Sequence, residues 1–253
     1  RGLASADGAG YPAEWRPWSP QFTTLCEDPC SPGLAFSNQI FYPQSIVSDI
    51  DFDTDGDMII GLMDRLGHQT GEANYATSSG VSTYTFYNFS TGYAPTSVTI
   101  AAGAVFEGTS AGDILRSCVS GGGFVLESNA NCGGITTGGA GNGQGPNNGE
   151  YYWQDMFVQE GFPASTTATS GTHHEVTLGG LVLFPGTAEV ATVVFDPFAI
   201  QSSGITWFGN TTGTRNRAYE IFPQSATPDR FGKAAGLGDI EGFCYQSPLE
   251  IGN

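Results

Sequence analysis

Short runs of β-branched and aromatic residues, each closed off by Gly, Pro or Asn, recur along this sequence, and the apolar periodicity of helices is scarce. Val98-Thr99-Ile100, Gly123-Phe124-Val125-Leu126 and Glu189-Val190-Ala191-Thr192-Val193-Val194-Phe195 are such runs. Branched side chains fit a pleated surface and lose rotamer freedom in a helix. The sequence therefore predicts an all-β chain, and 253 residues suffice to bury a core. From Gly133 to Gly149 almost every residue is Gly, Asn or Thr, which predicts a long surface loop.

A short pattern recurs four times: Ser48-Asp49-Ile50-Asp51, Gly112-Asp113-Ile114-Leu115, Gly179-Gly180-Leu181-Val182 and Gly238-Asp239-Ile240-Glu241. Its second positions, 49, 113, 180 and 239, are 64, 67 and 59 residues apart. A turn and a second apolar strand follow the first three: Met58-Ile59-Ile60-Gly61-Leu62, Phe124-Val125-Leu126-Glu127 and Val190 to Phe195. A repeat of about 60 residues with an inner hairpin predicts a β-propeller-like domain. A β-sandwich in which the pattern recurs by chance is the alternative.

Charge narrows the function. Twenty-five acidic residues face eight basic ones, with Lys233 the only lysine, and the net charge is -17. Such a chain repels nucleic-acid phosphates and anionic lipid. Acidity fits divalent-cation binding and a salt-containing external medium, and it equally serves solubility. No apolar run approaches the roughly 20 residues of a membrane helix. Cys26 with Cys30, and Cys118 with Cys132, bracket turn-rich stretches and read as local disulfides, leaving Cys244 without a partner. With a start at Arg1 and no leader, that points to a mature segment of a longer secreted protein.

Several segments resemble a known family. They are Glu14 to Pro20, Asp51 to Gly56, Met58 to Arg65, Gly149-Glu150-Tyr151-Tyr152-Trp153, Leu178 to Leu181 and the ending Pro248-Leu249-Glu250-Ile251-Gly252-Asn253. The ending resembles the opening strand of the B-type repeats of serine-aspartate-repeat adhesins. The chain as a whole resembles the propeller-like region preceding such repeats in large bacterial cell-surface proteins. The resemblance implies a secreted or wall-associated location, an adhesive or structural role and no established catalytic residues. It divides the chain into one domain over 1–247 and the start of the next repeat over 248–253.

The residues that could carry chemistry are mostly acidic. Asp49, Asp51, Asp53, Asp55 and Asp57, with Gly56 among them, resemble the start of a calcium loop, since calcium takes six to eight oxygens. A complete EF-hand fails because its twelfth position, counted from Asp51, is Leu62 and the following residues read as a strand. Two readings remain: a β-turn shaped by Asp and Gly, or that turn with bound Ca²⁺. If the four repeats are inner propeller strands, Asp49, Asp113 and Asp239 converge on a channel, where crowded carboxylates raise one another's pKa or recruit a cation.

Tyr151, Tyr152 and Trp153 could stack on a sugar, and Glu150, Asp155 and Glu175 are candidate carboxylates of a glycan hydrolase. No Gly-x-Ser-x-Gly elbow or phosphate loop is present. His173-His174-Glu175 reads as a polar strand start, since adjacent strand residues point to opposite faces. Asn88-Phe89-Ser90 and Asn210-Thr211-Thr212 match the N-glycosylation pattern. The sequence therefore predicts a non-catalytic, calcium-stabilised extracellular segment for adhesion or envelope assembly. Its partners would be envelope proteins, glycans or copies of itself, without nucleic acid or membrane insertion. A carbohydrate-binding module and a secreted glycan hydrolase are the alternatives.

Overall fold

The computed structural model describes residues 15, 18, 24–27, 38–40, 43–70, 74–75, 82–88, 94–100, 103, 105–108, 112–155, 176–184, 186–198, 202–223 and 237–243. Its strands are Thr24–Glu27 (β1), Asn38–Ile40 (β2), Ser45–Phe52 (β3), Met58–Asp64 (β4), Asn74–Tyr75 (β5), Ser82–Asn88 (β6), Ala94–Ile100 (β7) and Val105–Gly108 (β8). They continue with Asp113–Ser120 (β9), Gly123–Leu126 (β10), Asn131–Cys132 (β11), Ile135–Thr136 (β12), Thr177–Leu183 (β13), Glu189–Phe195 (β14), Ser203–Gly209 (β15) and Arg215–Phe222 (β16). The chain is all-β, as its branched, Gly-bounded runs predict. A six-residue helix, Arg65–Thr70 (α1), follows β4 directly, and no periodicity announced it.

Two antiparallel sheets of four strands carry the core, one in the order β10-β9-β4-β3 and one in the order β13-β14-β15-β16. Smaller sheets, β1-β6-β7 and β2-β8-β5, each contain one parallel pair, β1 with β6 and β2 with β8. The three hairpins expected from the repeats all form, as β3–β4, β9–β10 and β13–β14. The β9–β10 turn is Gly121-Gly122, with φ of 58° and 85°, the left-handed pair that a tight hairpin twist requires.

Register decides which side chains meet. Ile59 lies opposite Arg116 and Gly61 opposite Ile114, so these four share one face of the first sheet. Leu181, Thr192 and Thr206 form a row across the second, with Val190 and Phe208 paired beside them. The two faces meet in one core of Ile59, Ile114, Cys118, Cys132, Tyr151, Tyr152, Leu181, Val190 and Phe208. Burying aliphatic and aromatic side chains of this size stabilises the fold by roughly 1.5–3 kcal/mol each. A second buried cluster gathers Val176, Leu178, Val193, Val194 and Phe195 at the β13–β14 end of that sheet, and Leu237 and Ile240 pack against it.

The repeats do not become blades. Ser48–Asp51 lies on β3 and Gly112–Leu115 at the start of β9, both in one sheet, while Gly179–Val182 lies on β13 in the other. Gly238–Glu241 falls in the segment 237–243, which contains no strand. Among the described residues no sheet closes on itself. The reason is local: β13 crosses the first sheet where glycines face it. A Cβ on Gly61 would stand 2.0 Å from the Gly179 carbonyl oxygen, and one on Gly112 would stand 2.1 Å from that of Thr177. Backbone contact therefore replaces side-chain layers at this crossing.

The expected loop of 133–149 is also more structured than its composition implied. It contains β12 and a 3₁₀ turn at Pro146–Asn148. It folds back through Thr137, whose amide donates to the Ala130 carbonyl (3.0 Å) and whose hydroxyl donates to the Tyr151 carbonyl (2.8 Å). Residues 248–253, expected to open a further repeat, lie outside the described residues.

The glycine crossing makes a sharp prediction. Gly61→Ala should destabilise by about 1–3 kcal/mol or more, because a backbone carbonyl occupies the space. Gly123→Ala, whose Cβ would meet nothing within 4 Å, should leave the melting temperature unchanged or slightly raised. Thermal unfolding of both variants checks this, and equal effects would refute the crossing.

Candidate functional site

The turn between β3 and β4 is closed from inside by Asp53. Its carboxylate oxygen Oδ1 accepts the amides of Asp55 (2.9 Å) and Asp57 (3.0 Å), and its carbonyl accepts the amide of Gly56 (3.0 Å). Gly56, at φ 82°, supplies the left-handed residue the turn needs. The second oxygen of Asp53 binds the buried guanidinium of Arg116, and Asp57 binds the same Nη2 at 2.8 Å. Asp57 also accepts the Val119 amide at 2.8 Å. Asp55 is exposed on the turn. Arg116 thus stands at the carboxylates that the sequence offered to calcium.

Arg116 continues inward. Its Nη1 donates to the Tyr152 hydroxyl (3.3 Å), and its guanidinium lies 5.2 Å from the Tyr151 ring centroid. Burial works against its charge, but Tyr152, Asp53 and Tyr151 outweigh that, so its pKa lies above the ordinary value. The Tyr151 and Tyr152 hydroxyls donate to the carbonyl and side-chain oxygens of Asn210, at 2.6 and 3.1 Å. Both tyrosines are fully buried. Their rings pack in the core, not on a surface that a sugar could reach. Trp153 is half-buried and donates to the Thr212 carbonyl at 3.3 Å. Asn210, matched to the glycosylation pattern, is buried by the same contacts.

Asp49 and Asp51 do something else. Each accepts the amide that follows it, Ile50 at 2.7 Å and Phe52 at 2.8 Å. With its other oxygen each accepts an amide of β13, Leu181 for Asp49 and Leu183 for Asp51, both at 2.8 Å. Two carboxylates thus join the edges of the two main sheets. Asp239 reaches Asp49 as well, and burial together with this second carboxyl raises the Asp49 pKa, while the two amides hold it down. Asp49 and Asp239 come together, though not in a propeller channel, and Asp113 does not join them.

Asp113 belongs to a different cluster, with Glu150 and Asp155. One carboxylate oxygen from each lies within 4.8 Å of the others, and all three residues are buried. Trp15 donates to Asp113 from its indole nitrogen at 3.4 Å. Glu127 borders the cluster and accepts the amides of Arg116 (2.9 Å) and Tyr151. Burial pushes its pKa up to about 8; those amides oppose the shift, and the charges of Asp113 and Asp155 add to it. Arg215 interacts with Asp155, and burial lowers its pKa to about 10 against that pull. The sequence singled out Asp113, Glu150 and Asp155 for separate reasons and missed Glu127 and Arg116. The available signal was an arginine in the middle of the apolar run Ile114 to Val119, where a charge must find partners.

Comparison with known proteins finds no matching family model and no matching solved structure. It finds two relatives in Dictyostelium discoideum. Colossin-A is 28% identical over 223 residues, which are 83% of this chain and 2% of that protein. Colossin-D is 27% identical over 226 residues, 85% of this chain and 20% of that protein. The chain therefore spans a small part of the relatives it matches. These relatives are eukaryotic, and they overturn the resemblance to bacterial serine-aspartate-repeat adhesins. That resemblance rested on short Asp- and Gly-rich segments, which turn chemistry imposes on unrelated β proteins.

Other expected positions fall as follows. Cys118 and Cys132 form a disulfide, with Cα atoms 5.6 Å apart, between β9 and β11. Cys26 lies on β1, of which the structure describes the backbone, and Cys30, Cys244 and His173-His174-Glu175 lie outside the described residues. Among the described residues no helix is long and apolar enough to cross a membrane.

Two predictions follow from these carboxylates. Asp49→Asn keeps the size but replaces one acceptor oxygen by a donor, so it should cost about 1–3 kcal/mol in denaturant unfolding; no loss would mean the edge contact is dispensable. Glu127 holds a proton in the folded state up to about pH 8, and in the unfolded chain only up to about 4.5. The folded state then binds more protons across that window, so stability should fall as pH rises through it without divalent cations. Glu127→Gln should flatten the slope, and a slope that Glu127→Gln leaves intact would remove Glu127 as its source.

Proposed function

We propose that this chain is a non-catalytic extracellular segment serving adhesion or structural assembly, stabilised by calcium bound at Asp113, Glu150 and Asp155. The observation that carries this reading is the buried cluster itself. Four carboxylates, those of Asp113, Glu127, Glu150 and Asp155, share one region with the guanidinium of Arg215. Several acidic groups buried together are expensive to ionise, and a divalent cation bound among them lowers that cost. Oxygens that all lie within 4.8 Å of one another are close enough to share one cation held at about 2.4 Å, the calcium distance.

The non-catalytic part of the reading draws on burial. Glu150 and Asp155, the carboxylates considered for hydrolysis, lie at 0% and 2% exposure, which weighs against contact with a polysaccharide. The enclosed rings of Tyr151 and Tyr152 weigh against a sugar platform at that place. The extracellular part draws on the Cys118–Cys132 disulfide, which favours an oxidising compartment. The relatives are far longer than the matched region, which suits one module of a long extracellular chain.

Thermal unfolding at neutral pH with calcium and with a chelator tests the reading. Calcium should raise the melting temperature of the unmodified chain, and the rise should disappear in Asp155→Asn. It should also be larger at pH 8 than at pH 5, where the bordering Glu127 holds its proton and adds no negative charge to attract the ion. A melting temperature indifferent to both calcium and chelator would remove the cation from the proposal.

A further inference from the structure

The two main sheets have four edges, and the chain protects three of them. The β3 and β13 edges close on each other, because Asp49 and Asp51 take the amides of Ile50, Phe52, Leu181 and Leu183. The β16 edge carries Arg217 and Glu220 and is bulged against β15, two devices that keep an edge from pairing with another chain. The fourth edge, β10, has neither. No charged residue occurs from Val119 to Leu126. All four residues of β10 are exposed, with Phe124 at 47%, Val125 at 57% and Leu126 at 45%.

Alternation fixes what this edge offers. The Glu127 amide donates to the Arg116 carbonyl on β9, so Val125 also turns its backbone groups toward β9, opposite Cys118. Phe124 and Leu126 then direct their amides and carbonyls outward. Among the described residues nothing stands over the hairpin tip, since a Cβ on Gly121, Gly122 or Gly123 would meet no atom within 4 Å. Apolar side chains flank the strand on one face: Val119 is 52% exposed, and Phe52, 53% exposed, lies with its ring centroid 5.9 Å from that of Phe124.

We propose that β10 is a pairing edge for a second copy of this chain, joining two four-stranded sheets antiparallel into one sheet about a two-fold axis at Val125. The outward groups are self-complementary: Phe124 and Leu126 are placed symmetrically about Val125. Phe124 of each copy exchanges both main-chain hydrogen bonds with Leu126 of the other, and the two Val125 residues face each other without hydrogen bonds. A charge-free strip also favours a second copy in this protein. Each copy carries -17, so most other surfaces repel, and here two strands meet with no like charges opposed. The inference rests on the assembly reading above, and its test is separable, since association through another surface would keep assembly and remove this strand.

The test is sedimentation equilibrium in the analytical ultracentrifuge, run on the 253-residue chain at increasing salt and on edge variants. The unmodified chain should dimerise, and more tightly as salt screens the repulsion. Leu126→Pro removes an outward amide that the fold does not use, and Phe124→Lys adds the charge that edges ordinarily carry. Each should raise the dissociation constant about tenfold or more while leaving the circular dichroism spectrum unchanged. Val125→Cys should form a covalent dimer on mild oxidation beyond the background of the unmodified chain, because the facing residues come within disulfide reach. A chain that stays monomeric at every salt concentration overturns the proposal. So does one that dimerises without regard to Phe124 and Leu126 and gives no cross-link at Val125, and that result would leave assembly itself standing.

Discussion

Two carboxylates hold this fold in its observed form. Asp49 and Asp51 each bind an amide of their own strand and an amide of β13, so the edges of the two main sheets meet through side chains instead of a backbone ladder. An ionised carboxylate is a strong acceptor and needs two or more donors when partly buried. Here those donors are amides that an open sheet edge would otherwise leave for water or for another chain. The equal offsets, from Asp49 to Leu181 and from Asp51 to Leu183, run β3 and β13 side by side in the same direction. Everything on the inner faces follows from that alignment, including the backbone contact between Gly61 and Gly179.

The core between these sheets is mixed in character. Ile59, Ile114, Val190 and Phe208 are packed with Tyr151, Tyr152 and the guanidinium of Arg116. Buried ion pairs are weak evidence for stability, because desolvation offsets much of their attraction. Their effect is on geometry: Arg116 ties the Asp53 turn to β9 and to the tyrosines, and Asn210 ties the tyrosines to the end of β15. The Asp113, Glu127, Glu150 and Asp155 group sits on the same network through the Arg116 and Tyr151 amides. The fold therefore places four acidic side chains together where water is least able to solvate them.

The strands and their hairpins were legible because their signals are local. Gly121-Gly122 admits a tight turn, Asp53 to Gly56 shapes another, and branched residues between them favour extended backbone. Cys118 and Cys132 were legible as a pair because the stretch between them is short and turn-rich. The arrangement of sheets was not legible in the same way. A pattern of Gly, Asp and Ile at four places matched in type but not in environment: two copies share a sheet, one faces them across the core and one forms no strand. Tyr151 and Tyr152 read as a surface platform because nothing in their neighbours announces the sheets that enclose them.

The sequence by itself determined an all-β chain, its tight hairpins, one disulfide and a strong excess of acidic side chains. Each follows from propensities and spacings that act over a few residues. Only the tertiary structure decided what the carboxylates do. Asp49 and Asp51 became links between sheet edges, Asp53 and Asp57 became partners of Arg116, and Asp113 left its repeat to join Glu150 and Asp155. Those roles depend on which residues, from a few tens to 132 positions away, the fold brings together, and a side chain's own neighbours in sequence do not encode that.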